Sequence, residues 1–249
     1  MAFEFPLVAA IQSASVKGDI AANLTRHLAL ARQAASLGAR LALFPELSLT
    51  GYEPDVAAAT ALRGDDARFA PLAELAHSSG MTIVVGAPLR IGGILYIGAI
   101  SFLPDGRVAE YTKQHLHDGE DAVFTAGFGG AALDIGDAPV ALAVCADFTH
   151  ASHAQAAAQS GARLYAASVL VSPGGYAKDS EILRGYAEQH AMPVLMSNHG
   201  GPTGGWQSAG RSALWDESGR LVVEGGPGEC LVLASRTAGG WQGRVAAAA

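Results

Sequence analysis

The feature that most constrains this chain is a plan stated twice: short unbroken apolar runs, separated by stretches of helical spacing and closed by a hairpin. In the first half Pro6–Gln12, Leu41–Phe44 and Met81–Ala87 read as strands, the last of them clearly buried. Between them, Asp19–Leu37 carries Ile20, Leu24, Leu28 and Ala31 on one helical face and stops at Gly38. Phe69–His77 is a second helix, closed by Gly80, and residues 53–66 fit a loop or short helix. Ile94–Leu103 and Arg107–Thr112 then flank a Pro-Asp-Gly turn. The second half offers strands at Val140–Val144, Arg163–Val169 and Pro193–Ser197, with helices over His150–Ser160 and Asp179–His190. On the last helix Ile182, Leu183 and Tyr186 should face inward. Ser208–Trp215 and Arg220–Glu224 make its hairpin, and the two hairpins read alike, DGRVAEY against SGRLVVE. This predicts an α/β fold in which each half supplies helices and a sheet, and the sheets bury their inner faces against each other. No linker parts the halves, so residues 1–249 read as one domain, with 235–249 as a possible C-terminal tail.

Composition removes several classes of function. A formal charge of −7 with no basic block argues against nucleic acid or an anionic membrane surface as partner. No apolar run is long enough to span a bilayer, and the N-terminus has no basic segment, so no leader is expected. Two cysteines make no disulfide framework, which fits a reducing cytoplasm. The histidine pairs His115/His117 and His150/His153 lack nearby cysteines or paired carboxylates, so they read as surface polar residues and no metal site is expected.

Three strand ends carry chemistry. Cys145 stops the run Val140–Val144. A lone strand-end cysteine is ordinarily a small core residue, but two other stretches change that weighting. Glu46 follows Leu41–Phe44 and Pro45, which places a carboxylate at the lip of a buried strand, where desolvation raises its pKa and suits it to proton transfer. Lys113 follows Val108–Thr112. A thiol needs a base, and an attacked amide or nitrile carbon builds negative charge that needs a cation or fixed donors.

FPEL with TGY, then YTKQHL, then VCAD, in that order, resembles the nitrilase superfamily of carbon–nitrogen hydrolases. The resemblance runs from about residue 6 to residue 234. It implies a four-layer α-β-β-α sandwich and a Glu-Lys-Cys triad, here Glu46, Lys113 and Cys145. The family's second glutamate falls at Glu120, with Ala126 where proline is usual in the following F-x-P-G. Later echoes are Asn198 with Gly201, Gly210 with Ser212, and Arg184 with Glu188. The implied activity is hydrolysis of a small amide through a cysteine thioester, without metal or cofactor. Lys113 and the Ala146 N–H would hold the oxyanion, Glu120 would orient Lys113 or assist proton transfer, and the protein would form at least a homodimer. Tyr52 and Tyr176 are candidate substrate contacts.

The chain departs from the family after the nucleophile. Asp147 stays, but the arginine that usually fixes this turn is absent, leaving Thr149 and His150 either to replace it or to line the pocket. Alternatives therefore stay open: an N-carbamoyl substrate whose carboxylate meets Lys178 or Arg184, a nitrile, a Cys-His enzyme using His150 or His199, or a relative that binds without catalysis.

Overall fold

A computed structural model describes residues 4–136 and 138–249. The expectation about a leader falls in part on residues 1–3, outside those described. The strands are β1 (Phe5–Gln12), β2 (Leu41–Leu43), β3 (Thr82–Ile91), β4 (Ile94–Phe102), β5 (Val108–Thr112), β6 (Leu133–Asp134), β7 (Pro139–Val144), β8 (Leu164–Val169), β9 (Val194–Asn198), β10 (Ala213–Trp215), β11 (Leu221–Glu224), β12 (Cys230–Thr237) and β13 (Gly240–Ala247). The helices are α1 (Ile20–Ser36), α2 (Pro54–Ala57), α3 (Ala70–Ser79), α4 (Ala151–Gln159) and α5 (Tyr176–His190).

One sheet has the order β13-β12-β1-β2-β3-β4-β5 and the other β11-β10-β9-β8-β7-β6. Parallel β1-β2-β3 followed by an antiparallel hairpin is matched by parallel β7-β8-β9 followed by another. The repeated hairpin motif is therefore the visible part of a repeated half.

Side-chain alternation builds the layers, because successive strand residues point to opposite faces. Val8 and Ala10 of β1 face the second sheet and pack with Val140, Leu142 and Val144 of β7. Ala9 and Ile11 face the other way, against Leu30 and Ala34 of α1 and Leu72 and Ala76 of α3. On the far side, Ala143 and Tyr165 meet Ala154 of α4 and Leu183 of α5. The result is the expected α-β-β-α sandwich. Two serines bridge its inner sheets: Ser168 Oγ donates to the Phe44 carbonyl at 2.8 Å, and Ser197 Oγ to the Ile11 carbonyl at 3.2 Å.

Three expectations change. The fully buried stripe of α1 is Asn23, His27, Leu30, Ala31 and Ala34, with Ile20, Leu24 and Leu28 at its margin. Asn23 is drawn inward because it holds Val16 and Leu49 backbone, and His27 because it bonds the Asn23 carbonyl and Ser48 Oγ. The second hairpin's first strand is shorter than predicted, since residues 208–212 are a loop that bonds Asn198 and Gln12. Residues 235–249 are not a tail. Most of them complete β12 and form β13, which pairs antiparallel with β12 over the whole length from Cys230↔Ala247 to Thr237↔Gly240. Trp241 fixes this hairpin by packing on Phe5 and donating its indole N–H to Glu217 at 2.7 Å.

Candidate active site

Glu46, Lys113 and Cys145 each leave the end of a strand, and the strand ends converge between the sheets. Glu46 sits in the turn after β2. That turn lies against Gly86 so closely that a Cβ there would come within 2.3 Å of the Leu47 nitrogen and 2.4 Å of the Pro45 carbonyl oxygen. Leu47 takes a φ of +51° to complete the turn, and the Glu46 carbonyl accepts the His199 Nε2–H at 2.7 Å. Cys145 opens a 3₁₀ turn at the end of β7 with a φ of +42°, a left-handed conformation that costs a non-glycine residue energy and is held by its surroundings. The next N–H, on Ala146, belongs to the first turn, where amides have no partner within the helix.

The charged groups form one buried cluster. Lys113 Nζ donates to Glu46 Oε1 at 2.7 Å and to Glu120 Oε1 at 2.8 Å, and all three side chains are essentially inaccessible. Glu120 is itself held by the Tyr52 hydroxyl and the His117 N–H, each at 2.8 Å. Glu46 Oε2 has no hydrogen-bond partner among the described residues, although the Cys145 thiol is near enough to act on the carboxyl's pKa. The thiol's own contact, to the Leu170 carbonyl, is long at 3.9 Å.

Burial pushes the Glu46 pKa up, with Lys113 opposing and Glu120 adding. Burial likewise pushes the Cys145 thiol well up; Glu46 raises it further and Lys113 pulls it back. Burial alone would lower Lys113, but Glu46, Cys145 and Glu120 outweigh it and the ammonium is retained. Burial thus opposes the free thiolate, and the thiol lies beside a carboxyl group that receives the Lys113 ammonium.

Asp147 is the residue whose importance the sequence reading missed. It is fully buried and accepts hydrogen bonds from Val144 N–H at 3.0 Å, Gln114 N–H at 2.9 Å, His115 N–H at 2.8 Å and the Tyr111 hydroxyl at 2.7 Å, with the His115 ring Nδ1 also 3.3 Å from Oδ1. Two of these come from the residues directly after Lys113 and one from the residue before Cys145. One carboxylate thus ties the backbone just after Lys113 to the end of β7, just before Cys145. Thr149 helps, donating to the Ala146 carbonyl at 2.8 Å. The available signal was an acid two residues past a strand-end cysteine, amid apolar neighbours.

The histidines also depart from expectation. His153 is buried, between the hydroxyls of Tyr111 and Tyr165 at 2.8 Å each, and His115 stacks on His150 with ring centroids 3.8 Å apart. Among the described residues no group of three or more His, Cys, Asp or Glu is arranged to hold a metal ion.

A cavity of about 290 Å³ opens onto this cluster and is lined by Glu46, Tyr52, Glu120 and Cys145, with Phe148 and Trp206 as apolar walls. A larger groove of about 490 Å³ lies near Arg63, Arg90 and Glu110, but it contains no nucleophile. Tyr52 is thus at the site and engaged with Glu120. Tyr176 is not among the cavity residues. It is buried, its hydroxyl donates to Glu224 at 2.6 Å, and the Arg211 guanidinium lies 4.0 Å from its ring centre, so it anchors α5 instead of touching a substrate. Arg184 is also elsewhere, tied to Glu181 and Glu188 on the exposed face of α5. Lys178 reaches the cavity mouth.

The carbon–nitrogen hydrolase family model matches residues 7–242. An aliphatic nitrilase from Sinorhizobium fredii (strain HH103) is 31% identical over 126 residues, covering 42% of this chain and 40% of that protein. Omega-amidase from Mus musculus is 32% identical over 181 residues, covering 67% of this chain and 61% of its own. The chain thus spans less than two thirds of either curated relative. Among solved structures, an amidase from Nesterenkonia sp. AN1 superposes with a TM-score of 0.83 at 27% identity over 92% of both chains, and there acrylamide has added to the active site cysteine.

Proposed function

The chain belongs to the carbon–nitrogen hydrolase family, and on that premise we propose that it is a thiol amidase that releases ammonia from small primary amides. The observation that carries this reading is the buried Lys113 bridging Glu46 and Glu120 beside Cys145, at the floor of a cavity sized for a small molecule.

In the proposed reaction the Cys145 proton passes to Glu46 as sulfur bonds to the amide carbon. The carbonyl oxygen takes the negative charge and is held by Lys113 and the Ala146 N–H. Glu46 returns the proton to the nitrogen, the C–N bond breaks and ammonia leaves a thioester. Water then attacks the thioester, with Glu46 taking its proton, and the acid departs as the thiol is restored. Glu120 positions Lys113 and itself leans on Tyr52 and the His117 N–H. The Cys-His alternative finds no support in the geometry: the one contact of His199 with the cluster is to the Glu46 backbone, and His150 stacks on His115. Both cysteines are free thiols, which fits a reducing compartment, and we expect at least a dimer in solution.

The test is ammonia release from butanamide and related amides. Cys145→Ala should abolish turnover while leaving the circular dichroism spectrum unchanged, and iodoacetamide should label Cys145 and spare buried Cys230. Turnover by Cys145→Ala would overturn the proposal.

A further inference from the structure

The walls of the cavity say more about the substrate than its floor does. At the floor, charge is internally balanced: Lys113 is shared by Glu46 and Glu120, and Tyr52 completes the set. At the mouth it is not. Asp179, in the first turn of α5, lines the cavity and is only partly accessible, yet its carboxylate makes no hydrogen bond or ion pair with the described residues. Its neighbours Lys178 and His117 act on it only through their fields, and burial outweighs both, so its pKa is raised. Both Lys178 and Asp179 line the cavity, but Lys178 is exposed, so its charge is screened by water, whereas Asp179 is partly buried. The Trp206 ring stands at the same mouth, more than half exposed. A carboxylate without a partner among the described residues, in a cavity that an exposed indole also lines, is the chemistry that receives an organic ammonium, by a charge-assisted hydrogen bond and a cation–π contact. A substrate carboxylate at the mouth would instead meet Asp179, with Lys178 exposed to water as its nearest cation in the lining.

We propose that the amide taken here carries an ammonium group at the far end of its acyl chain, and that Asp179 with Trp206 selects it. This rests on the amidase reading above. A primary amide at one end would reach Cys145, and an amine several methylenes away would reach the mouth. Lys178 would mildly oppose the cation, so its removal should sharpen the preference.

The experiment compares 4-aminobutanamide and 5-aminopentanamide with pentanamide and hexanamide, alkyl amides of matching length, and with the acids succinamate and glutaramate. The full chain is used and ammonia release is measured. The amino-amides should be preferred about 10- to 100-fold in kcat/KM, mostly through KM, which is the range of one charge-assisted hydrogen bond. In Asp179→Asn that ratio should fall toward one, and in Lys178→Ala it should rise. Preference for the acids or alkyl amides, or an unchanged ratio in Asp179→Asn, would overturn the assignment. If no amide is hydrolysed, the amidase reading fails, and calorimetry on Cys145→Ala decides the present inference separately. Tighter binding of 5-aminopentanamide than of hexanamide sustains it, and equal binding overturns it.

Discussion

Replacing Asp147 by asparagine should be the most informative change outside the triad. The carboxylate receives Val144 N–H and the Tyr111 hydroxyl on Oδ2, and Gln114 N–H and His115 N–H on Oδ1. Asparagine keeps one acceptor oxygen and turns an NH₂ toward the other pair. The least costly orientation points that NH₂ at Val144 and Tyr111, since the hydroxyl can rotate and the backbone N–H cannot. One or two charge-assisted bonds are lost, at about 1.5–3 kcal/mol each, and one buried N–H is left unpaired, at about 1–3 kcal/mol. The expected destabilisation is about 4 kcal/mol. For a chain of this size that lowers Tm by about 8–16 °C. Tyr111→Phe removes the hydroxyl's bond to Asp147 and its contacts with His153 and Gln114, yet keeps the carboxylate and its three backbone N–H partners, and should cost about 1–3 kcal/mol. Because Asp147 also ties the backbone just after Lys113 to that just before Cys145, kcat/KM should fall by at least about tenfold in the folded fraction, as misplacement of reacting groups does. Urea melts at pH 7.5 and ammonia release from a reactive amide give both readouts. An Asp147→Asn protein within about 1 kcal/mol of the parent, or no less stable than Tyr111→Phe, would refute the reasoning.

Stability should also depend on pH through two buried histidines. Burial lowers His199 to about 4 and His27 to about 3, so both are neutral in the folded state while the unfolded chain titrates near the ordinary imidazole value of 6.5. Below pH 6.5 the unfolded state binds more protons, so stability is complete above that value and is lost as pH falls toward 4, by up to about 2.7 kcal/mol per unit for the two together. Urea midpoints at pH 5 and pH 7 check this, and equal midpoints would contradict it. Gly86→Ala should lower stability by at least about 2 kcal/mol and reduce activity more than a surface substitution would, because the added methyl meets the rigid backbone on either side of Glu46. An active Gly86→Ala enzyme of unchanged melting temperature would show that this turn has room to shift.

The features legible in the sequence were those written in local pattern. Buried strands announce themselves as apolar runs, and the residues that end them, Glu46, Lys113 and Cys145, stand out by contrast. Features that depend on distant partners were not legible. Asn23 and His27 look like the polar face of α1 until the loops they bond are in place. Tyr176 could not be read from its loop because its partners, Arg211 and Glu224, lie on another hairpin. The same holds for α5, which starts at Tyr176, three residues before the predicted Asp179, because those partners hold its first turn. The last fifteen residues look like filler, glycine then alanine, and become a strand only because β12 offers an edge and Trp241 a foothold on Phe5 and Glu217.

That late hairpin sets an order on synthesis. Strand β1 finds its second neighbour in β12, so its first residues stay half-paired until the ribosome has added the final strands. Roughly 90 residues are translated between Cys145 and the end of β12, a delay of about 5–20 s at ordinary rates. Throughout that interval the nascent chain offers an open β edge, the kind of surface on which neighbouring polypeptides aggregate. Expression yield should therefore respond to elongation speed and chaperone supply more than the stability of the finished sandwich would imply.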